Sequence, residues 1–503
     1  MLRLLSALLL VLLAVPSPAQ PPPPEPAESE ELPPEGDLRA AFDSATVGAT
    51  PGAPTIGLLA AISRALEANF ALLNSADAVT GAQIRESATR SMWNPRFTPS
   101  YLVNPDDKSI LLNASQRLPW SGGSVSAIAT LRSSELTVPE LSHTGDVRVV
   151  LTQPMLKGFG PNAAYFDLRN SERSRVAQQR QFELLRQRLA VQVTAAFYSV
   201  IAQRQLLGVS RQSLMRGLSL RKASEARLKV GLVSKLDVFR ADLQAAQTQE
   251  ALVRSEAGLE TALEQFRALL GLPAADPVEP EAVALPDTID ASVEPLEVLL
   301  AHARERRLEL REVQDQVDDA RRAASLAKQN LLPQLDVNLG YVRSGYGSTY
   351  RGALDEAHNR FEVYFNTTYP VDNASSRASK AVADLEVIAR ERTVRQRDLE
   401  VEAEVRGAAR ELERIQKSVE LQKKGVEVAA QQLRLSTLRY QRGLASNFDV
   451  VDAEGSLVLA RSALVGLLTN YQVAKADLLR ATGMLDPGQP QIAQGLTLRE
   501  ATP

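Results

Sequence analysis

Gln334-Leu335-Asp336-Val337-Asn338-Leu339-Gly340-Tyr341-Val342 alternates apolar and polar side chains, and Arg360–Tyr369 does the same. A period of two is the signature of a strand with one face buried or greasy. Leu335, Val337, Leu339 and Tyr341 share one side of the first segment, and Phe361, Val363, Phe365 and Thr367 share one side of the second. The connection between them, Arg343–Asn359, is polar and rich in Gly and Tyr, as a loop would be. Segments of ~10 residues with one apolar face and aromatic ends fit strands of a transmembrane barrel. Two such strands cannot close a barrel, so a chain built this way must associate to remove its sheet edges.

Outward from these strands, prolines divide the chain. None occurs between Pro54 and Pro95, Pro161 and Pro273, Pro295 and Pro333, or Pro370 and Pro487. An interior proline costs a helix ~3 kcal/mol, so these stretches are predicted to hold the long helices. Ala163–Val230 would be a helix of about 68 residues, roughly 100 Å long, and Ser376–Arg442 is similar. Thr55–Asn94, Leu296–Leu332, Ser234–Leu270 and Ser446–Thr482 are each about half that length. Two half-length helices stacked end to end would then lie beside each long one. Arg96–Thr152 is a second strand zone, with Phe97–Val103, Ile110–Leu118, Val125–Leu131 and Val147–Thr152 as its segments. The inner pair, joined through Pro119-Trp120-Ser121-Gly122-Gly123, is either a second hairpin in the wall or a folded external loop. Three copies would accordingly supply about 12 or about 18 strands.

The order helix, strands, long helix, turn, helix occurs twice. An ungapped shift of 212 positions over Arg227–Gly271 aligns 12 identical pairs among 45, Gly231/Gly443, Asp237/Asp449 and Gly271/Gly483 among them. At a shift of 238, Leu58, Ala65, Leu72 and Pro95 match Leu296, Ala303, Leu310 and Pro333. Two gap-free registers point to an internal duplication. The expected organisation is a signal peptide at 1–19, a Pro-rich disordered lead-in at 20–54 and a first repeat at 55–272 with strands about 96–153. A linker at 273–294, a second repeat at 295–484 with strands about 334–369, and a tail at 485–503 complete it.

Composition supports rods over globules. Aromatics are only 5%, while small residues such as Ala195, Ala196, Ala245, Ala246, Ala429 and Ala430 permit close helix approach. Lys and Arg (57) nearly balance Asp and Glu (60), which gives a nucleic acid no field to follow. With no cysteine, disulfides, thiol nucleophiles and a cysteine-linked lipid anchor are excluded. Arg3, the apolar run Leu4–Val15 and the small residues Ser17 and Ala19 read as a cleavable export signal; a retained anchor is the other reading, but the run is short of the ~20 residues needed to span. Apolar stripes packed between neighbouring rods, with a polar face on each side, suit a closed ring with water inside and out. A soluble coiled-coil tether is the alternative, and the strand zones speak against it.

This plan resembles the TolC-type outer membrane efflux protein family over roughly Thr55–Gly483. The resemblance is carried by Val230-Gly231-Leu232-Val233-Ser234 leading to Asp237, and by Tyr440-Gln441-Arg442-Gly443-Leu444-Ala445-Ser446 leading to Asp449. Gln153-Pro154-Met155-Leu156-Lys157-Gly158-Phe159-Gly160 is similar to the family's strand-to-helix elbow, and Tyr369–Asn373 is a shorter counterpart. The resemblance implies a mainly α fold with a membrane β-barrel portion. Its two repeats would trimerise into an α-helical barrel topped by a β-barrel. The homotrimer would sit in outer-membrane lipid, span into the periplasm, and meet a periplasmic adaptor (membrane fusion) protein and an inner-membrane pump. It would be a passive exit duct for efflux or type I secretion, without a cofactor and not an enzyme.

Matched position by position, the family's periplasmic gate falls on Asp237, Tyr440, Asp449 and Asp452. The gate arginine is replaced by Ala445, with Arg439 and Arg442 as the nearest cations. Asp449 and Asp452 lie three apart on one helical face, so threefold symmetry would stack two carboxylate rings that favour cations. Ser234–Asp237 and Ser446–Asp449 equally have capping-box spacing, so capping alone is the competing role. Gly231 and Gly443 read as left-handed helix ends, and Leu232, Ser234, Leu444 and Ser446 as the rest of two exposed turns, either adaptor-docking knobs or bare hairpins. The three histidines, His143, His302 and His358, are scattered without metal-ligand spacing, and Gly158-Phe159-Gly160 lacks the rest of a phosphate loop.

Overall fold

The computed structural model describes residues 52–104, 107–134, 143–283, 285 and 294–487, all within the unit Ser44–Pro503. The expected signal peptide, most of the lead-in and nearly all of the tail lie outside the described residues. In chain order the elements are β1 (Thr55–Ile56), α1 (Leu58–Ala68), α2 (Phe70–Arg90), β2 (Arg96–Asn104), β3 (Asp107–Arg117), β4 (Ser124–Ser134) and β5 (His143–Pro154). The long helix α3 (Phe166–Lys229), α4 (Lys235–Leu269) and β6 (Glu279–Pro280) follow. The second half holds α5 (Leu296–Arg306), α6 (Leu308–Gln329), β7 (Gln334–Gly347), α7 (Tyr350–Asp355), β8 (His358–Thr368), α8 (Ala374–Gln441) and α9 (Asn447–Ala481). The fold is mainly helical with one sheet of six strands and a two-stranded contact between β1 and β6.

The proline-free stretches do hold the long helices: α3 has 64 residues and α8 has 68, roughly 100 Å each. Thr55–Asn94 and Leu296–Leu332 differ from the expectation of single helices, because each breaks after 11 helical residues. Asn69 (φ −70°, ψ 123°) and Arg307 (φ −67°, ψ 121°) are extended, which no continuous helix allows. Asn69 caps α2 by accepting from Ala71 N–H, and its amide donates to the Leu269 carbonyl at 3.1 Å. Arg307 is buried and pairs with Glu309 and Glu404. Both breaks seat the half-length helices onto the ends of α4 and α9. There Gly271 and Gly483 take positive φ (70° and 71°), and an added Cβ at Gly271 would lie 2.5 Å from the Ala68 carbonyl oxygen. End-to-end stacking beside a long helix is therefore built on these two joints.

The core sits at this level. Ala61 and Ile62 of α1, Val193 and Phe197 of α3, Phe266 of α4 and Val405 of α8 are almost wholly buried. The short β6 runs parallel to β1 beside it, and Arg204 of α3 reaches the β6 backbone. Arg204 donates to the Pro280 carbonyl at 2.9 Å and pairs with Glu279 at 2.6 Å, both side chains 2% exposed. Towards the turns, the lateral order is α4–α3–α9–α8. Along this stretch most apolar side chains are only partly covered.

The sheet runs β2-β3-β4-β5-β7-β8, antiparallel throughout. Ile110–Leu118 and Val125–Leu131 thus form a hairpin within the sheet. β7 runs five residues beyond Val342, into what the sequence suggested was loop. The cause is its pairing with His143–Val147 of β5, where Gly145 lies opposite Gly345. These glycines leave a flat bed for α7, whose Ala353 carbonyl would sit 1.9 Å from a Cβ on Gly345.

Register fixes which side chains share a face, since directly paired residues point the same way. One row runs Phe97, Ala114, Ala127, Val149, Tyr341, Phe361. The next row on the other face reads Thr98, Asn113, Ile128, Arg148, Val342, Arg360. The first face continues with Tyr101, Leu112, Leu339, Val363 and Phe365, all exposed, and Phe361 is 82% exposed. The opposite face carries Asp336 and Asn338, both buried, with Thr152 donating to Asn338 Oδ1 at 2.8 Å. Greasy side chains are turned outward and polar ones inward, the inverse of a soluble sheet. No described helix is long and apolar enough to cross a membrane.

Candidate functional site

The two turns that carry the sequence motifs have the same construction. Gly231 and Gly443 hold φ of 73° and 72°, a conformation that penalises any Cβ. Leu232 N–H donates to the Arg227 carbonyl and Leu444 N–H to the Arg439 carbonyl, so each helix ends in a Schellman motif. Four residues of turn then lead into a capped helix. Ser234 and Asp237 form a complete capping box, as do Ser446 and Asp449. Asp449 accepts from Ser446 N–H at 2.7 Å, and that bond with the Ser446 hydroxyl holds its carboxyl below the ordinary range. The cap is therefore fully formed above the carboxyl's unfolded pKa and is lost only as pH falls through the lower folded value.

Asp237 and Tyr440 line one cleft of about 320 Å³ between the turns, together with Arg227, Ser234, Ala445 and Asn447. Asp449 and Asp452 are exposed and do not line it. The Asp237 carboxylate is turned to its own cap, with Ser234 Oγ donating at 2.7 Å. Tyr440 is 5% exposed, and its hydroxyl lies 3.1 Å from Ser224 Oγ. The Arg227 guanidinium sits 4.3 Å from the Tyr440 ring centre and donates to the carbonyls of Tyr440 (2.7 Å) and Gln441 (3.0 Å). Asn447 completes the group by donating to Ser224 Oγ at 3.3 Å and to the Asp237 carbonyl at 2.9 Å. Further up, Arg216 of α3 grips the buried Glu454 of α9 at 2.8 and 2.9 Å. Together these contacts tie the first helical hairpin to the second.

Arg227, Ser224, Asn447 and the Arg216–Glu454 pair were missed by sequence reasoning. Arg227 and Arg439 are an identical pair in the 212-residue shift, which was the available signal. Their partners lie more than 200 residues away, and no local pattern announces them. Among the described residues no group of three or more His, Cys, Asp or Glu could hold a metal ion.

Residues 299–484 match the family model described as outer membrane efflux protein. That match lies within the second half of the chain. No curated protein matches this chain by sequence. Its fold is that of solved outer-membrane channels, at low identity. The outer membrane protein VceC from Vibrio cholerae aligns with a TM-score of 0.66 at 15% identity, over 85% of this chain and 96% of that one. CusC, described as forming a transmembrane channel, gives 0.62 at 18%, over 86% and 93%. The CmeC outer membrane channel of Campylobacter jejuni gives 0.63 at 13%, over 88% and 92%.

Proposed function

We propose that three copies of this chain form a passive outer-membrane exit duct. Its β-barrel lies in outer-membrane lipid and its helical barrel reaches through the periplasm to an adaptor and an inner-membrane pump. The observation that carries this reading is the inverted sheet, apolar on its exposed face and polar on the other. A periplasmic tether has no use for such a surface, and water would penalise it. The edge strands β2 and β8 are each paired on one side only among the described residues, and they are antiparallel to each other. Neighbouring copies can therefore complete the ladder.

The helices support the same closure. The lateral edges α4 and α8 carry exposed apolar stripes, Leu236, Phe239 and Leu243 on one and Leu421, Val428 and Leu435 on the other. The seven-residue spacing of the second stripe is that of a coiled-coil seam. Head-to-tail packing of α8 against a neighbour's α4 would bury both and close a ring. The two repeats then give four helical columns per chain, about 12 in the ring. Gly231, Leu232 and Ser234, with Gly443, Leu444 and Ser446, would face the adaptor at the tips. Tyr440 and Asp237 belong to the gate, with Asp449 and Asp452 as exposed acidic rings at its mouth.

Purified protein is expected to run as a heat-resistant trimer and to give discrete conductance steps in planar bilayers. A product that fractionates with the soluble periplasm would sink the duct. Placing charge in the seam, as Val428→Asp with Leu435→Asp, is expected to abolish the trimer and the conductance together. Unchanged trimers from that double variant would remove α8 from the interface.

A further inference from the structure

We infer that the β3–β4 hairpin is a membrane-spanning part of the duct wall, so that the closed wall has 18 strands, six from each copy. This rests on the membrane reading of the sheet but goes beyond it, since that reading is satisfied with β3–β4 folded outside as a loop.

The apolar face does not stop at the outer strands. Ile110, Leu112 and Ala114 of β3 and Val125, Ala127, Ala129 and Leu131 of β4 continue it, Ile110 and Leu112 being exposed. Its polar reverse continues too, with Arg132 paired to Asp107 across the hairpin at 2.8 Å. An external loop would need neither face.

The position of the apolar band is more telling. In β8 the band centres on Val363, which pairs with Leu339 of β7. In β5 it centres on Val149, which pairs with Tyr341. In β3 it centres on Leu112, which traces through Ala129 and Val147 to the row of Arg343. The centre thus climbs four residues, from the row of 339 to the row of 343, in four strand-to-strand steps. With a rise of ~3.3 Å per residue and strands ~4.8 Å apart, one residue per strand is an inclination of roughly 35°. Strands of a closed barrel tilt by about 35–45°, and a level lipid band must drift across the rows by that amount. β3 obeys the same drift as β5 and β8, and β4 is paired between β3 and β5, so the hairpin crosses the same slab at the same slant.

The circumferences agree as well. About 18 strands at ~4.8 Å spacing and this tilt measure roughly 105–110 Å around, whereas about 12 measure roughly 70–75 Å. A ring of about 12 helices with axes ~9 Å apart also measures roughly 110 Å. An 18-stranded wall therefore meets the helical barrel with little taper, and its bore is not where passage is restricted.

The chain has no cysteine, so single-cysteine variants report one site each. Leu112→Cys (β3, apolar face), Asn113→Cys (β3, polar face) and Val363→Cys (β8, apolar face) are labelled with an environment-sensitive fluorophore. The trimers are then placed in vesicles containing mid-depth nitroxide lipids. The expected result is blue-shifted, nitroxide-quenched emission at both Leu112 and Val363, with Asn113 open to aqueous iodide. If Val363 is quenched by lipid while Leu112 answers to iodide as Asn113 does, the hairpin lies outside the wall and the inference fails, though the duct stands. If neither apolar site is quenched by lipid, the membrane reading fails and takes the inference with it. Ala129→Cys and Thr130→Cys make the same comparison on β4 should a β3 variant fail to assemble.

Discussion

Channels assembled from an Arg227→Ala chain are expected to open far more readily than the parent in planar bilayers. Arg227 makes two charge-assisted hydrogen bonds to the second hairpin, at 2.7 and 3.0 Å, and covers the Tyr440 ring. Partly exposed, these contacts are together worth about 1.5–3 kcal/mol per protomer. On the gate reading, their removal shifts the closed-to-open ratio of each protomer by roughly 10- to 100-fold. Tyr440→Phe removes only the hydroxyl link to Ser224 and leaves the ring beneath the guanidinium, so its effect is expected to be smaller. Equal opening in Arg227→Ala and parent channels, with helix content preserved, would reduce this cluster to a structural tie. The arginine expected after the second turn glycine is Ala445 here, and at the level of the turns Arg227, on the first hairpin, is a cation that bridges the two.

The largest loss of stability is expected from Arg204→Ala. Arg204 and Glu279 are both almost fully enclosed, and burial lowers the guanidinium's pKa against the opposing pull of Glu279. Removing the cation leaves a carboxylate in a site closed to water, a change that costs about 3–5 kcal/mol. In detergent the loss is read as a lower guanidinium midpoint of the helical signal. Arg204→Met combined with Glu279→Leu is expected to recover most of it, because the desolvation burden disappears with both charges. A double variant as unstable as the single one would show that the hydrogen bond from Arg204 to the Pro280 carbonyl, and not the charge, holds β6 in place.

Much of this was legible in the residues. Proline spacing located α3 and α8 because a helix of that length has no tolerance for an interior proline. Alternation located β7 and β8 because a strand with different surroundings on its two faces cannot avoid it. The capping boxes and left-handed glycines were readable since each is completed within a few residues. What escaped was set by distance or by neighbours. The breaks at Asn69 and Arg307 depend on where α4 and α9 end, which no local window contains. The extension of β7 to Gly347 depends on β5 and on α7 lying over Gly345. That the β3–β4 hairpin joins the same sheet needed the register, since alternating residues look alike inside a sheet and in a separate flap.

Gly271 and Gly483 carry a consequence for how the chain can drift. Each stands where a side chain is refused twice, once by its positive φ and once by the neighbouring segment, Ala68 in one case and Arg306 in the other. Substitution there forces a short helix off its seat, so selection has almost no latitude at these pegs. Most other positions on a solvated rod accept exchange freely. The outline of such a fold can accordingly outlive its spelling: solved outer-membrane channels at 13–18% identity still align over most of their length.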